Sequence, residues 1–187
     1  MRVIAGKYKG RTLRCGRGPF FRPTAQIVKG SLFDTLGDEV TGARFLDLFA
    51  GSGAIGIEAL SRGAELAVFV EQERKILKAL RTNLQRCRIS DEQAVVAGYD
   101  VFRYIDRLLA GDEYFDIIFA DPPYAGKTAG RVIAAIAGAK REVCRRLVVE
   151  HGEALPALEA DGLELDKTKR FGQTIITYFK TGASSGT

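Results

Sequence analysis

Two short stretches of the chain combine residue types that could do chemistry. The first, Asp121-Pro122-Pro123-Tyr124, directly follows an apolar run of strand length. Two successive prolines fix φ and lack N–H donors, so this turn is rigid and its carbonyl groups can accept hydrogen bonds. The Asp121 carboxylate and the Pro122 carbonyl could each hold one N–H of an exocyclic amine while Tyr124 stacks on the base. A surface turn without function could carry the same residues, because Asp-Pro and Pro-Tyr are common in loops.

The second stretch is a glycine-rich turn that also follows an apolar run. Gly51, Gly53 and Gly56 have the spacing of the dinucleotide fingerprint, and Glu71 lies twenty residues beyond Gly51, where a ribose-binding acid is expected. This spacing leaves both NAD and S-adenosylmethionine open as the cofactor. Asp47 favours S-adenosylmethionine, because a carboxylate late in the first strand suits a cationic ligand better than a pyrophosphate.

Together the two stretches indicate methyl transfer to an amine. A sulfonium loses its positive charge as the methyl group leaves and the amine nitrogen gains it, so the Asp121 carboxylate would stabilise the developing cation. This reaction needs no metal and no covalent nucleophile. An NAD-dependent oxidoreductase would leave the Asp-Pro-Pro-Tyr turn without a purpose, and no histidine or tyrosine-lysine pair is placed to pass a proton.

Alternating strand and helix patterns position both stretches. The order predicts an α/β fold, a right-handed and doubly wound sheet of seven strands, mostly parallel, with an antiparallel edge. Asp100 follows the third main strand and either contacts adenine or caps the next helix, and Thr24 is the predicted N-cap of the first helix. The strands are predicted from Phe45 and over 67–70, 94–97, 115–120, 147–150, 163–169 and 174–179, and the helices over 24–36, 54–61, 74–88, 101–109 and 128–140.

Positive charge is concentrated at the N-terminus. Residues 1–30 hold eight Lys and Arg and no Asp or Glu, whereas the whole chain has a net charge of +5, so the rest of the chain is net acidic. Such asymmetry favours binding of a nucleic acid, although a solvated edge hairpin would look similar. Residues 1–21 are predicted to form a basic hairpin arm, with strands over 2–5 and 11–15, ahead of a methyltransferase domain over 22–180. The residues expected to contact the nucleic acid are Lys7, Lys9, Arg11, Arg22 and Thr24, with Tyr8, Phe20 and Phe21 as stacking partners.

The composition argues against a disulfide-rich protein, a zinc protein and a membrane protein. At 187 residues the chain fits one domain, and its 46% hydrophobic residues suffice for a buried core. Three scattered cysteines indicate neither a disulfide framework nor a zinc site, and the single histidine, His151, is expected to pack at a strand end. No membrane span or signal core is visible, which predicts a cytoplasmic protein, and we expect a monomer without a metal. The tail over 181–187 is expected to be disordered.

Several segments together resemble the RsmD family. They are M-R-V-I-A-G-K-Y-K-G-R-T-L at the start, R-P-T at 22–24, L-D-L-F-A-G-S-G-A-I-G-I-E-A-L-S-R-G-A from Leu46, D-P-P-Y at 121–124 and V-V-E at 148–150. The similarity covers nearly the whole chain. That family methylates the N2 amine of one guanine in 16S ribosomal RNA and has a Rossmann-like, class I S-adenosylmethionine-dependent methyltransferase fold.

The resemblance implies a role for each matching residue. Ile27 and Gly30, in the helix after R-P-T, depart from the family's pattern of a basic and an acidic residue and so affect the details of RNA contact. Asp100 would lie beside the adenine. The S-adenosylmethionine contacts would come from Asp47, Phe49, Ala50, Gly51, Ser52, Gly53, Gly56 and Glu71, and the target guanine would be held by Asp121, Pro122, Pro123 and Tyr124.

The predicted substrate is RNA in an ordered particle. A base inside a helix cannot enter a pocket at a sheet edge, so the nucleotide must be unstacked. Because so small a chain has little surface for reading an extended site, we expect small-subunit rRNA within an assembled or assembling 30S particle. The alternatives are a DNA adenine-N6 methyltransferase, which uses the same motif on another amine, and an RNA-binding module without catalysis.

Overall fold

Seven strands and five helices alternate along the chain in a computed structural model, which describes residues 1–14, 23–123, 127–152 and 162–181. The strands are β1 Arg44–Leu48, β2 Leu66–Val70, β3 Ala94–Ala97, β4 Phe115–Ala120, β5 Cys144–His151, β6 Leu163–Phe171 and β7 Thr174–Thr181. The helices are α1 Pro23–Leu36, α2 Ala54–Ser61, α3 Arg74–Cys87, α4 Val101–Ala110 and α5 Thr128–Ala137, and a short 3-10 turn, Gly37–Val40, follows α1.

All seven strands belong to one sheet in the order β3-β2-β1-β4-β5-β7-β6. Strands β1 to β5 pair in parallel, whereas β7 pairs antiparallel with both β5 and β6. This topology confirms the predicted mostly parallel sheet with an antiparallel edge. The strand order reverses between β1 and β4, and the crevice at the carboxyl ends of two such strands is where open α/β sheets bind ligands.

Helices cover both faces of the sheet. Residues of α1, α2 and α3 pack in one apolar cluster with the sheet, and residues of α4 and α5 pack in a second cluster on the other face. Strands β1 and β4 contribute alternate residues to the two clusters, so both of their faces are buried. Continuous apolar runs such as Phe115–Ala120 are typical of central parallel strands for this reason.

Several predicted boundaries differ from the observed ones. Strand β5 begins at Cys144, three residues before the predicted start, because the charge of Arg146 inside the strand is paired with Glu39 and Asp166. Helix α5 ends at Ala137 instead of residue 140, since Gly138 caps it. Helix α1 begins at Pro23, so the prediction of Thr24 as its N-cap was wrong. Proline fits the first helical turn because a backbone N–H at this position has no partner within the helix, so proline loses no hydrogen bond there.

The N-terminal segment, residues 1–14, is docked against the body of the protein. Its two halves pair antiparallel through one bridge, Arg2 with Thr12, so the hairpin is shorter than the two predicted strands. Val3, Tyr8 and Leu13 are buried in the same cluster as α1, α2 and α3. Tyr8 is only 3% exposed, which contradicts its predicted role as a stacking partner for bases.

A buried ion pair ties this segment to two helices. Lys29 of α1 and Glu58 of α2 are fully buried, with 2.8 Å between Nζ and Oε2. Lys29 also donates a hydrogen bond to the Arg2 carbonyl, and Glu58 accepts from the backbone N–H groups of Ile4 and Ala5. A buried charge is tolerated when it is paired and hydrogen-bonded in this way. The network therefore fixes the start of the chain relative to α1 and α2.

The remaining composition-based predictions concern single residues. His151 is buried at the end of β5, where its Nε2 lies 2.9 Å from the Thr177 hydroxyl, so the predicted packing role is confirmed. Cys87 and Cys144 are buried free thiols. Thr181, the first residue of the predicted tail, is the last residue of β7, so the tail was predicted to begin one residue too early, and 182–187 lie outside the described residues. In the described ranges, no helix is long and apolar enough to cross a membrane, and no cluster of His, Cys, Asp and Glu could hold a metal ion.

Candidate active site

A cavity of about 190 Å³ lies at the carboxyl ends of β1 and β4. Its lining comes from five parts of the fold, namely the N-terminus, α1, the glycine turn, the start of α2 and the ends of three central strands. The residues are Met1, Val28, Lys29, Leu32, Asp47, Phe49, Ala50, Gly51, Ser52, Ala54, Ile55, Phe119, Asp121 and Glu150. The structure thus brings Asp47, Gly51 and Asp121, which are far apart in the sequence, to one cavity.

The glycine turn, residues 49–53, needs an unusual backbone. Phe49, Gly51 and Gly53 have φ values of 63°, 54° and 77°, in the left-handed region that glycine adopts at least cost. A Cβ on Gly53 would stand 2.2 Å from Leu80 Cδ1, and one on Gly56 would stand 2.3 Å from the Phe69 ring. The glycines at 53 and 56 therefore allow α2 to start close to β2 and α3.

Asp47 is buried at the end of β1 beside the start of α2. Its Oδ2 accepts a hydrogen bond of 3.0 Å from the N–H of Gly56, which lies in the first turn of α2 and has no partner within the helix. Burial raises the pKa of Asp47 to about 7, repulsion from Glu71 adds to the rise, and the Gly56 hydrogen bond opposes it. No Lys or Arg is among the groups that shift the pKa of Asp47. A cationic ligand could therefore act as the partner of this carboxylate.

Glu71 follows β2 and reaches across to the glycine turn. Its Oε2 accepts from the N–H of Gly51 at 3.1 Å, and its Oε1 accepts from the N–H of Glu73 at 2.8 Å. These bonds fix the carboxylate at the same edge of the sheet as Asp47. Each carboxylate oxygen can accept more than one hydrogen bond, so Glu71 keeps capacity for the hydroxyl groups of a ribose.

Asp121 follows β4 and lines the cavity together with Asp47. Asp121 is exposed as a whole residue and shares the cavity with Asp47 and Glu150. Desolvation of the carboxyl group raises the pKa of Asp121 well above its usual value, and repulsion from Glu150 and Asp47 adds to the rise. Pro122 is buried and Pro123 is exposed, while Tyr124 lies outside the described residues.

Glu150 is a cavity residue to which the sequence analysis gave no role. It lies near the end of β5, lines the cavity and acts electrostatically on Asp121. The V-V-E segment was used only for the family resemblance. Its position one strand from β4 could have indicated Glu150, because the carboxyl ends of β4 and β5 meet at the same edge.

Asp100 has a structural role that the sequence left open. It is the N-cap of α4, where its Oδ1 accepts from the N–H groups of Phe102 and Arg103 at 3.0 and 3.1 Å. This confirms the capping alternative. The contact with adenine stays a prediction, as do the contacts assigned to Phe49, Ala50 and Ser52.

The predicted RNA contacts lie partly within the described structure. Lys7, Lys9 and Arg11 are exposed on the N-terminal segment. Arg22, with Phe20 and Phe21, lies outside the described residues, and Thr24 is described only as part of the α1 backbone.

Comparisons with known proteins identify the family of this chain. A family model described as Conserved hypothetical protein 95 matches residues 1–180. A Bacillus subtilis protein, provisionally named as the rRNA methyltransferase YlbH, is 35% identical over 182 residues, which are 96% of this chain and 98% of that protein. Ribosomal RNA small subunit methyltransferase D of Haemophilus influenzae is 35% identical over 136 residues, covering 73% of this chain and 70% of the relative.

A solved structure of a relative has a similar fold over nearly the whole chain. It is a protein from Escherichia coli, provisionally described as the methyltransferase yhhF, with a TM-score of 0.83 and 30% identity over 98% of this chain and 99% of that chain. This similarity confirms the predicted Rossmann-like class I methyltransferase fold. From the extent of the family match and of these relatives, the chain belongs to the RsmD family that its motifs resemble.

Proposed function

We propose that this protein transfers a methyl group from S-adenosylmethionine to the N2 amine of a guanine in small-subunit rRNA. The observation that supports the proposal most strongly is that Asp47, the glycine turn and Asp121 line one cavity at the switch point of the sheet. Relatives that are 35% and 36% identical to this chain are named as small-subunit rRNA methyltransferases. Because the substrate is ribosomal, the proposal puts the protein in the cytoplasm.

The residues of the glycine turn fit the cofactor. S-adenosylmethionine, when bound, supplies an electrophilic methyl group on a sulfonium. Asp47 would face its cationic end, Glu71 would accept from the ribose hydroxyls, and the backbone of Gly51 would allow close approach because no Cβ blocks it.

Asp121 and Pro122 would hold and orient the guanine amine. The Asp121 carboxylate accepts one N–H and the Pro122 carbonyl accepts the other, which directs the nitrogen lone pair toward the methyl group. The nitrogen becomes cationic as it is methylated. Because Asp121 lies near the carboxylates of Asp47 and Glu150, its negative charge is poorly compensated and gains from a cation that develops beside it.

Affinity for S-adenosylmethionine should depend on the ionisation of Asp47. The pKa of Asp47 is raised to about 7, so the group is mostly protonated below that pH and must lose its proton to pair with a cation. We expect the affinity to rise about tenfold per pH unit from pH 5.5 toward 7 and then to level off. Calorimetric titrations across this range in buffers of different ionisation enthalpy would show both the slope and the released proton.

The matched variant for this titration is Asp47→Asn. It keeps an acceptor for the Gly56 N–H but removes the titrating charge, so the affinity should be lower and nearly flat with pH. Asp121 also has a raised pKa and lines the same cavity. A slope that persists in Asp47→Asn would therefore assign the pH dependence to Asp121 and contradict the prediction.

The decisive experiment is transfer of labelled methyl groups to small-subunit particles from cells that lack the endogenous enzyme. The proposal expects N2-methylguanosine with the wild type, and less product on naked rRNA or on a short hairpin than on particles. Label in adenine of DNA would move the protein to the DNA adenine-N6 class. Equal turnover on a naked hairpin would contradict the requirement for an assembled particle while leaving the reaction in place.

A further inference from the structure

All the charged residues of helix α3 are cations. Its 14 residues include Arg74, Lys75, Lys78, Arg81 and Arg86, all exposed, and no Asp or Glu. The opposite side of the helix is an apolar stripe that packs on the sheet and includes Leu77, Leu80, Leu84 and Cys87. The charges thus project from a helix that the core holds in place.

This charge distribution is unfavourable for the isolated protein. Arg74 lies four residues before Lys78, and like charges at this spacing repel one another on a helix. Arg74 and Lys75 are also in the first turn, where the helix dipole disfavours cations. None of the five cations of α3 forms a salt bridge with any of the described residues. A polyanionic partner would relieve this repulsion.

The N-terminal segment extends the same surface. The Arg11 guanidinium donates to the carbonyl of Arg86, near the end of α3. The buried Asn83 of α3 binds both backbone groups of Arg14: its Oδ1 accepts from the Arg14 N–H and its Nδ2 donates to the Arg14 carbonyl, each at 2.8 Å. Lys9, Arg11 and Arg14 are exposed, and the bonds of Arg11 and Arg14 to α3 place this part of the segment beside the cations of the helix.

We define the basic face as Lys9, Arg11 and Arg14 of the N-terminal segment with Lys75, Lys78 and Arg86 of α3. At 1.5 Å per residue, the part of the face on α3 is about 16 Å long, which spans several phosphates of an RNA backbone. The face is connected to the cavity at two points. Met1, at the start of the segment, lines the cavity, and Asn83 Nδ2 also donates to the carbonyl of Ser52 in the glycine turn at 2.9 Å.

We propose that the basic face binds the phosphate backbone of the RNA next to the nucleotide that enters the cavity. This inference rests on the proposed function and adds α3 to the RNA-binding residues. Exposed large hydrophobic residues occur at Ile27, Val95, Tyr99, Tyr114 and Leu165, none of which belongs to the N-terminal segment or to α3. A protein partner would need such apolar anchors, whereas a phosphate backbone needs only cations.

The test is a triple variant, Lys75→Gln with Lys78→Gln and Arg86→Gln. The matched control is Arg103→Gln with Arg107→Gln and Lys140→Gln, which removes three exposed cations associated with α4 and α5 on the other face of the sheet. Glutamine is a good helix former and removes like-charge repulsion, so the α3 variant should unfold no earlier than the wild type. Direct binding of naked rRNA and of small-subunit particles is measured at several salt concentrations.

For the α3 variant we expect a 10- to 100-fold loss of RNA affinity at low salt. The slope of log K against log salt should become shallower by about 2 to 3, since each phosphate contact contributes roughly 0.7 to 0.9. KM for particles should rise while kcat and the affinity for S-adenosylmethionine stay unchanged. The control should lose much less affinity, because its charges face away from the RNA.

Three results would overturn the proposal. Equal losses in the two triple variants would show an effect of net charge alone, and unchanged binding in the α3 variant would show that the face is only solvated. Weaker binding to particles with unchanged binding to naked rRNA would assign the face to a ribosomal protein. Because binding is measured without turnover, a failure of the methylation proposal leaves the binding comparison between the two variants intact.

Discussion

Asp121→Ala is expected to lower kcat for methyl transfer by about 10²- to 10³-fold. The variant removes the acceptor for one amine N–H and the charge that stabilises the nitrogen as it becomes cationic. Pro122 would still offer its carbonyl, so the amine could bind with a less well directed lone pair. Single-turnover rates with labelled S-adenosylmethionine and particles would measure the chemical step separately from product release.

The environment of Asp121 separates a catalytic effect from a structural one. Desolvation and repulsion from Glu150 and Asp47 raise the pKa of Asp121, so the ionised group destabilises the folded protein once the pH exceeds its usual pKa, and increasingly up to the raised value. Asp121→Asn removes that charge and keeps the shape. Its melting temperature at pH 8 should therefore equal or exceed that of the wild type, even though kcat is reduced.

The matched control for both variants is Asp106→Ala. Asp106 is exposed on α4, away from the cavity, so its replacement should leave kcat unchanged. Full activity in Asp121→Ala would remove Asp121 from the mechanism. A large drop in melting temperature in Asp121→Asn would show that the group stabilises the fold, and the loss of activity could then not be assigned to the amine site.

The central sheet could be predicted because strands such as β4 have a recognisable apolar pattern in the local sequence. Phe115–Ala120 is a continuous apolar run and becomes β4, buried on both faces. The start of β5 could not be predicted in the same way, since Arg145 and Arg146 interrupt the apolar pattern. Their charges are balanced by Glu39 and Asp166, from distant parts of the chain, and a local pattern contains no information about such pairs.

The candidate site was predictable where function constrains the residue types at short range. The glycines at 51, 53 and 56 and the Asp-Pro-Pro motif are each close together in the sequence, and the strand order brings Gly51 of the first and Asp121 of the second to one cavity. Glu150 was missed because its role depends on its distance from Asp121, one strand away. Asp100 was left open because a cap and a ligand contact require the same residue type at the same place.

The N-terminal segment was the least predictable part of the fold. Its charges predicted an arm that meets RNA, and an arm of this kind could extend freely from the domain. The structure instead docks it through backbone groups: the N–H of Lys7 donates to the carbonyl of Ser61 at 2.7 Å, and the N–H of Tyr8 donates to the Ser61 hydroxyl at 2.9 Å. Backbone partners of this kind leave no pattern in the sequence except the glycine that allows the approach.

Gly6→Ala should undock the N-terminal segment and lower the free energy of unfolding by about 2 to 5 kcal/mol. Gly6 has φ +76°, and a Cβ there would stand 1.6 Å from the carbonyl oxygen of Ser61 and 2.3 Å from its carbon. These atoms are backbone at the end of α2, so no side-chain rotation can relieve the overlap. The segment must move away, and it then loses its hydrogen bonds to Ser61 and weakens those to Glu58.

Gly10→Ala is the matched control, because Gly10 has a similar φ of +82° but no atom within 4 Å of the added Cβ. Both variants bear the strain of a left-handed alanine, about 1 to 2 kcal/mol, and only Gly6→Ala adds the overlap. Urea unfolding would give the two free energies. Trypsin should cut after Lys7 and Lys9 faster in Gly6→Ala than in Gly10→Ala, since an undocked segment exposes its backbone. Equal stability and equal cleavage in the two variants would mean that the contact with Ser61 does not hold the segment, and that the buried pair of Lys29 with Glu58 is sufficient to keep it docked.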